Sequence, residues 1–293
     1  MKNTISTIFF TNEKSFDITN LSIPFYLKNF EELDIKVYVI SNRIPENSIK
    51  YDGVTYYDGE IDFDGQGHHF GPLLFNFLKK IDCEYVFLLC DDYIFLSPVK
   101  VREFNSLINL CDDLQVDLVS FNSLRYNKLV MDDWVVPNID YNKYFLPENC
   151  IVETNSNFRH LFSLQPCIWR KISLINLLEY NPMLSVHELD NSNVKNKEHK
   201  YRPIKSFEGI NNQRYDESNI KLDYNFKCFS FYLDPMSFNI DEKPLNSGYI
   251  IIDYIEVMRH GKFNDDETNS KVLLKQIINE LPNNVLQIIN KFN

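Results

Sequence analysis

The chain of 293 residues contains no alanine and only eight glycines. This composition is typical of AT-rich coding sequence, so we attribute the missing alanine to codon usage and not to function. Disorder is excluded, because 44% of the residues are hydrophobic and 14% are aromatic, which provides enough apolar surface for a packed core. The length fits one large domain, or a domain with a small appendage.

Long hydrophobic runs are missing as well. No window approaches the roughly 18–20 consecutive apolar residues of a membrane span, and residues 1–5 lead directly into a strand-like run without a signal-peptide core. The six cysteines form no C-x-x-C pair and no zinc-type spacing with histidine. Several of them lie in apolar runs, so we expect free buried thiols, a reducing compartment and a cytoplasmic protein.

Positive charge is in short supply. The 30 Lys and Arg against 41 Asp and Glu give a net charge of −11, and the pI is about 5.1. A general nucleic-acid binder normally has a basic face, so that class is excluded. A small anionic ligand is still compatible with the sequence, because a few local cations can bind one.

Apolar strand-like runs alternate with helical patterns in the first half of the chain. This alternation predicts an α/β fold, with a mostly parallel central sheet flanked by helices on both faces. The predicted strands are 5–10, 36–40, 54–57, 84–89 and 117–121, and the predicted helices are 21–33, 69–81 and 101–110. The less regular second half predicts loops and short strands over 125–157, strands at 158–164 and 249–257, a helix over 166–180, an exposed loop over 191–201 and a helical tail over 269–292.

Ligands of open α/β sheets bind beyond the carboxyl ends of the strands. Four polar segments stand at such ends in the predicted fold, and they are expected to converge on one crevice. They are residues 11–13, 41–43, 91–93 and 259–262.

Asp91 and Asp92 are the clearest chemical signal in these segments, because they follow directly after a buried strand. Two adjacent carboxylates repel each other unless a cation lies beside them, and a divalent ion such as Mg²⁺ or Mn²⁺ is a common solution. The alternative is a turn or a helix cap, since aspartate pairs also occur at 112–113, 132–133 and 265–266. Those other pairs follow no such strand.

Three ordered segments resemble glycosyltransferases of the GT-A fold, in particular the sugar transferases of bacterial and viral surface-polysaccharide biosynthesis. Residues 70–95 contain IDCEYVFLLCDDY, residues 165–171 read QPCIWRK, and residues 261–263 read GKF. The similarity spans roughly residues 5 to 264. It implies a GT-A-like (Rossmann-like) fold, a nucleotide-sugar donor and a divalent metal, Mn²⁺ or Mg²⁺.

The resemblance also implies roles for residues near the metal. Asp92 matches the metal ligand of the D-x-D motif, with Asp91 directed toward the ribose or a water of the metal, while Cys90 replaces the first acid of the motif. His260 corresponds to a late histidine ligand, and Lys262 to a cation that meets the diphosphate. The alternative for the last two is a surface turn with a solvated lysine.

The donor nucleotide is expected at the first two strand ends. Thr11, Asn12 and Asn42 carry hydroxyl and amide groups that suit a uracil or guanine edge, so the donor is predicted to be UDP-, GDP- or dTDP-linked. Residues 64–69 (DGQGHH) hold two of the glycines before a helix start, where an anion is favoured. They match neither a Walker nor a Rossmann fingerprint.

An inverting transfer needs a base that takes the proton of the acceptor hydroxyl. Glu188 is the first candidate and Asp190 the second, because both follow the predicted Trp169 helix and precede the polar loop; the alternative is ordinary helix-turn charges. Trp169 offers a flat apolar face to an acceptor sugar, or else is a core tryptophan. Tyr93 is also assigned to the acceptor side.

Together these features predict a metal-assisted glycosyltransferase, hexosyl or deoxyhexosyl and inverting, that acts on a glycan or another hydroxyl acceptor. We expect one catalytic domain over 1–265, with a nucleotide-sugar half (1–122) and an acceptor half (123–265), followed by a helical extension over 266–293. Two alternatives are a nucleotidyltransferase that makes a nucleotide sugar and a non-catalytic carbohydrate-binding surface module. The absence of glycine from residues 11–14 counts against the nucleotidyltransferase.

Overall fold

The structure is a computed structural model that describes the first half of the chain almost completely and the second half in short segments. The described residues are 4–62, 69–91, 93–95, 97–121, 137–146, 151–154, 166–180, 227–231, 254–256, 258–259 and 262–263. The predicted strand at 158–164, the loop at 191–201 and the helical tail at 269–292 lie outside them.

Strands and helices alternate along the described chain. The helices are α1 (Phe16–Asn29), α2 (Phe70–Leu78), α3 (Val101–Asp113) and α4 (Lys171–Tyr180). The strands are β1 (Ile5–Thr11), β2 (Lys36–Ser41), β3 (Val54–Asp58), β4 (Tyr85–Cys90), β5 (Tyr93–Phe95), β6 (Leu118–Ser120), β7 (Ile151–Thr154), β8 (Cys167–Arg170), β9 (Cys228–Phe231), β10 (Tyr254–Glu256), β11 (Met258–Arg259) and β12 (Lys262–Phe263).

One eight-stranded sheet organises the fold, in the order β3-β2-β1-β4-β8-β6-β9-β7. β1, β2, β3 and β4 are mutually parallel, and β8 pairs antiparallel with both β4 and β6, so β6 and its parallel partner β9 point the same way as β4. Six of the eight described strands therefore run in one direction, and only β7 and β8 oppose them. The mostly parallel α/β sheet predicted from the sequence is confirmed.

β4 shows why helices cover both faces of this sheet. All six of its residues are buried, and alternate side chains of a strand point to opposite faces. Phe87 and its neighbours on that face join the core formed with α1 and α3, whereas Leu88 joins the core formed with α2 and α4. A strand buried on both faces is apolar throughout, which is the pattern that predicted it.

The elements predicted for the first half are confirmed with shifted ends. α1 begins and ends earlier than the predicted helix 21–33: its last backbone bond before the turn runs from Phe30 N to Tyr26 O. The prediction of a helix over 166–180 is wrong in its first part. Residues 167–170 form β8, which inserts between β4 and β6, and only Lys171–Tyr180 is helical. A short apolar run fits either element, and pairing with two distant strands decides this one.

The prediction of free, buried thiols is confirmed for the five described cysteines. They are Cys83, Cys90, Cys111, Cys167 and Cys228. Burial raises the pKa of the Cys167 thiol to about 12, so this group is an unreactive part of the core. Cys150 lies outside the described residues. None of the described helices combines the length and the apolar character that a bilayer span requires.

Candidate functional site

Four parallel strands end at the same edge of the sheet and place their following residues side by side. In the backbone register, Thr11 lies opposite Ser41, Ser41 lies opposite Asp58, and Phe10 lies opposite Cys90. Because these strands share one direction, the loops after β1, β2, β3 and β4 meet at this edge. The predicted convergence of residues 11–13, 41–43 and 91 is thus confirmed by the topology.

Asp91 joins the end of β4 to the end of β1. Thr11 Oγ1 donates a hydrogen bond of 3.1 Å to Asp91 Oδ2. Ser22 of α1 donates a hydrogen bond of 2.6 Å to the main-chain oxygen of Asp91. Both the side chain and the backbone of this aspartate are therefore fixed by hydroxyl groups.

Burial raises the pKa of the Asp91 carboxyl from 3.8 to about 6, and hydrogen bonds from the hydroxyls of Thr11 and Ser15 act in the opposite direction. An ionised carboxylate at this position is thus costly by itself. A cation beside it would lower that cost.

Asn12 stabilises the start of α1. Its Oδ1 accepts hydrogen bonds from Lys14 N at 2.9 Å and Ser15 N at 3.1 Å, and its Nδ2 donates to Ser15 Oγ at 3.1 Å. These are the bonds of an Asx turn, in which a side-chain amide satisfies N–H groups of the residues just before a helix. The amide predicted to bind the donor is therefore used in the scaffold.

The side chain of Asn42, at the end of β2, also bonds to the protein. Its Oδ1 accepts a 2.9 Å hydrogen bond from Glu13 N, and its Nδ2 donates a 3.0 Å bond to Ile61 O. Asn42 is 0% exposed and Thr11 is 1% exposed. The structure brings Thr11, Asn12 and Asn42 together, but their polar side-chain groups bond to the protein.

Asp58 is a residue of this edge that the sequence analysis missed. Its Oδ2 accepts a 3.0 Å bond from Ile44 N, and its Oδ1 accepts a 2.9 Å bond from Glu60 N. Its position at the end of β3 was the available signal, because the strand-end rule that selected Asn42 applies to it equally. Ser22 gave no comparable signal, since it lies inside a helix.

Gly59, the next residue, has no room for a side chain. A Cβ atom there would lie 2.5 Å from Leu73 Cδ1 and 3.1 Å from Ser41 O. Gly59 N also donates a 2.9 Å hydrogen bond to that same oxygen of Ser41. The loop after β3 is thus packed tightly against the end of β2.

A two-stranded pair brings the late part of the chain to the same region. β10 pairs antiparallel with β5, and Glu256 lies opposite Tyr93, the residue that follows Asp92 in the sequence. Two residues later in the chain, β11 begins, and it pairs with β12 through Arg259 and Lys262. The chain that leads to β11 therefore starts beside Tyr93, close to the end of β4.

The structure contradicts the assignment of Trp169 to an acceptor site. Trp169 lies in β8 and not on a helix, and its side chain is 0% exposed in the core beneath α2 and α4. No face of the indole is accessible to a sugar, so this is a core residue. Tyr93 is 6% exposed and lies in β5, which leaves little surface for an acceptor.

The remaining predicted site residues cannot be placed by their side chains. Asp92, Glu188, Asp190 and His260 lie outside the described residues, and Lys262 is described by its backbone in β12. Within the described ranges, no group of three or more His, Cys, Asp or Glu side chains is arranged to bind a metal.

Acidic groups dominate the described part of the edge. Glu13 and Asp91 follow β1 and β4, and Asp58 ends β3. The exposed Arg43 is engaged by Asp62 at 2.6 Å. A dianionic ligand would be repelled by this field unless a metal ion or lysine reverses it locally. The edge can therefore provide a preformed polar crevice, but it needs additional cations to bind phosphate.

No protein-family model matches the chain, and no curated protein matches it either. Solved structures do. The mannosyltransferase PcManGT from Pyrobaculum calidifontis, in complex with GDP-Man and Mn²⁺, is 15% identical with a TM-score of 0.35, over 66% of this chain and 50% of that one. TarS of S. aureus is 14% identical with a TM-score of 0.38, over 65% of this chain and 33% of TarS.

The galactosyltransferase LgtC, in complex with donor and acceptor sugar analogues, is 10% identical with a TM-score of 0.35, over 78% of this chain and 87% of LgtC. The chain spans half the length of the mannosyltransferase and a third of TarS. TM-scores this low support no conclusion about activity. That conclusion has to come from the residues at the sheet edge.

Proposed function

We propose that this protein is a GT-A-like glycosyltransferase, which moves a sugar from a nucleoside-diphosphate donor to a hydroxyl group of a glycan or similar acceptor. The observation that carries the proposal is the corner between β4 and β5. Asp91 leaves a buried parallel strand there, and β10 pairs with β5 so that the chain leading to His260 starts beside Tyr93. Open α/β sheets bind ligands at such strand ends.

The chemistry of Asp91, the described acid of this corner, supports a divalent metal beside it. The pKa of Asp91 is raised by burial, and a nearby cation would offset the cost of carboxylate charges there. We propose that Asp92 and His260 bind Mn²⁺ or Mg²⁺, a mixed oxygen and imidazole set that favours Mn²⁺. A bound ion would neutralise charge on the leaving diphosphate.

The chain's own residues then bind the donor and move one proton. In our proposal Lys262 binds the diphosphate and Asp91 faces the ribose. The carboxylate of Glu188, or of Asp190 in its place, accepts the proton of the acceptor hydroxyl. The hydroxyl oxygen forms a bond to the anomeric carbon, the bond from that carbon to the phosphate oxygen breaks, and the nucleoside diphosphate leaves with inversion.

Consecutive parts of the chain have different roles in this proposal. Residues 1–122 would hold the donor, residues 123–265 the acceptor, and residues 266–293 would form a helical extension. A hexose or deoxyhexose from a UDP-, GDP- or dTDP-linked donor, a role in polysaccharide biosynthesis and a cytoplasmic location belong to the same proposal.

Turnover of a panel of UDP-, GDP- and dTDP-sugars with Mn²⁺ tests this function. We expect release of nucleoside diphosphate from one donor class, and a loss of at least about a hundredfold in Asp92→Asn, since a metal ligand stabilises transition-state charge. Asp112→Asn is the matched control, because it belongs to another aspartate pair, 45% exposed at the end of α3. Full turnover in Asp92→Asn would contradict the metal role.

A further inference from the structure

We infer that Asn42 is a positioning residue, which holds the loops after β1 and β3 together so that the donor crevice is formed before any ligand arrives. The inference rests on the proposed function for the identity of the ligand. It assigns to Asn42 a role that excludes direct contact with the donor. The side chain acts instead through the backbone of residues on two other strand ends.

Both ends of the Asn42 amide are bonded to main-chain atoms of neighbouring loops. Glu13 N donates to Oδ1 at 2.9 Å, and Nδ2 donates to Ile61 O at 3.0 Å. Ile61 N also donates a 3.0 Å bond to the main-chain oxygen of Asn42. Residues 42 and 61 are thus joined at two points, and the side chain extends this link to residue 13.

Burial excludes the alternative of direct donor binding. Asn42 has no exposed surface, so a nucleotide cannot reach the amide without opening the loops. If the Asn42 amide moved away, two main-chain groups, Glu13 N and Ile61 O, would lose their hydrogen-bond partner, which is unfavourable. These bonds therefore oppose separation of the loops after β1 and β3 and keep the crevice in one conformation.

The effect of Asn42 is confined to the loops, because the strands are fixed without it. The β1–β2 ladder extends to Thr11 opposite Ser41, and the β2–β3 ladder extends to Ser41 opposite Asp58. Asn42 begins where those ladders end. Its replacement should loosen the two loops and leave the sheet register unchanged.

Asn42→Asp is the informative variant. The aspartate retains an acceptor for Glu13 N. It places a carboxylate oxygen against Ile61 O, where a hydrogen-bond donor is needed. Asn29→Asp is the matched control, since Asn29 is also buried (7% exposed) and donates from Nδ2 to a main-chain oxygen, Phe95 O, at 2.8 Å. Asn29 ends α1, about 20 Å along the helix from the strand-end loops.

Hydrogen exchange of the ligand-free proteins measures the positioning directly. In Asn42→Asp we expect exchange at residues 11–15 and 58–62 to rise about tenfold, because the loss of one hydrogen bond lowers the free energy of local opening that exchange reports. Exchange in α2 should stay as in the wild type. Asn29→Asp should leave exchange at residues 11–15 and 58–62 unchanged. It should lower the melting temperature by about as much as Asn42→Asp does.

Calorimetric titration with UDP, GDP and dTDP in the presence of Mn²⁺ measures whether the position of these loops affects nucleotide binding. The nucleotide that binds the wild type should bind Asn42→Asp about tenfold more weakly, and in turnover the donor KM should rise while kcat stays within about twofold, because a loosened crevice loses ground-state and transition-state binding alike. Asn29→Asp should retain the wild-type dissociation constant.

Two results would overturn the inference. One is unchanged exchange at residues 11–15 and 58–62 in Asn42→Asp, which would show that Asn42 does not hold the loops. The other is loosened loops with an unchanged dissociation constant, which would show that their position does not matter to the donor. A wild-type protein that binds none of the three nucleotides overturns the proposed function instead, and the exchange result still decides whether Asn42 holds the loops.

Discussion

Thr11 Oγ1 donates a hydrogen bond of 3.1 Å to Asp91 Oδ2, although 80 residues separate them in the chain. The bond joins the ends of β1 and β4, two adjacent parallel strands at the centre of the sheet. It places a partly buried carboxylate at the corner where the chain turns toward Asp92. The hydroxyl group orients this carboxylate.

The raised pKa of Asp91 has a defined effect on stability. With a pKa of about 6 in the folded state and 3.8 as the ordinary value, the folded protein binds more protons than the unfolded chain between these pH values. The free energy of unfolding should therefore decrease as pH rises from about 4 to 6 and stay level above that.

Asp91→Asn should remove this decrease, by up to about 3 kcal/mol between pH 4 and pH 7 if the full shift is realised. Urea denaturation of both proteins with chelator present, at pH 4.5 and pH 7, measures it. Thr11→Val should shift the decrease to higher pH, because it deletes a hydrogen bond that lowers the Asp91 pKa. A stability difference between Asp91→Asn and wild type that is the same at both pH values would contradict the prediction.

Asp117 joins three elements at the opposite edge of the sheet. One carboxylate oxygen accepts a hydrogen bond from the hydroxyl of Ser173 in α4, and the other accepts a 2.8 Å bond from Lys227 N, directly before β9. Asp117→Ala should lower the free energy of unfolding by about 2–3 kcal/mol, because it leaves these groups without an acceptor.

Urea denaturation at pH 7 measures that loss, and Asp113→Ala supplies the control. Asp113 pairs with Lys143 at 2.6 Å and accepts a 2.7 Å bond from the Tyr144 hydroxyl, which keeps Lys143 as a partner at 3.0 Å. Both charged side chains are about half exposed, so the removal of Asp113 should cost no more than about 1 kcal/mol. Equal losses in the two variants would show that the Asp117 network adds nothing beyond an ordinary surface contact.

Trp169 distinguishes a core role from a sugar-binding role. Because the side chain is 0% exposed, Trp169→Ala should destabilise the protein by about 3–5 kcal/mol. Trp169→Phe should fold and retain the wild-type KM for the acceptor. Ile172→Ala, at a residue of α4 that is 56% exposed, should change the free energy of unfolding by no more than about 0.5 kcal/mol. A stable Trp169→Phe protein with a raised acceptor KM would restore the acceptor role.

The fold of the first half was predictable because its central strands, β1 and β4, are buried on both faces. An apolar run such as residues 85–90, set between helical patterns, predicts a strand at the centre of a covered parallel sheet, and the intervening amphipathic helices predict the cover. β8 was not predictable by the same means. Its four residues become a strand only because β4 and β6 offer partners on either side, and partners distant in the chain leave no local signal.

The site was predictable to the level of strand ends but not of individual contacts. Asn42 and Asn12 stand where the strand-end rule places a ligand, yet their amides bond to Glu13, Ile61 and the residues just before α1. Composition and spacing do not reveal the direction of a side chain. That direction depends on which backbone groups lie unpaired nearby, and these are known only once the loops are folded.

The central claim is that the β4 corner binds a nucleoside diphosphate together with a divalent metal. Thermal unfolding of the wild type, Asp92→Asn and Asp112→Asn with UDP, GDP, dTDP or CMP, each with and without Mn²⁺, tests it most directly. A ligand at a hundred times its dissociation constant stabilises the folded state by about 2.7 kcal/mol, so we predict a clear rise in melting temperature for one nucleoside diphosphate. The rise should require Mn²⁺, persist in Asp112→Asn and disappear in Asp92→Asn. No shift with any nucleotide, or a shift that needs neither Mn²⁺ nor Asp92, would contradict the claim.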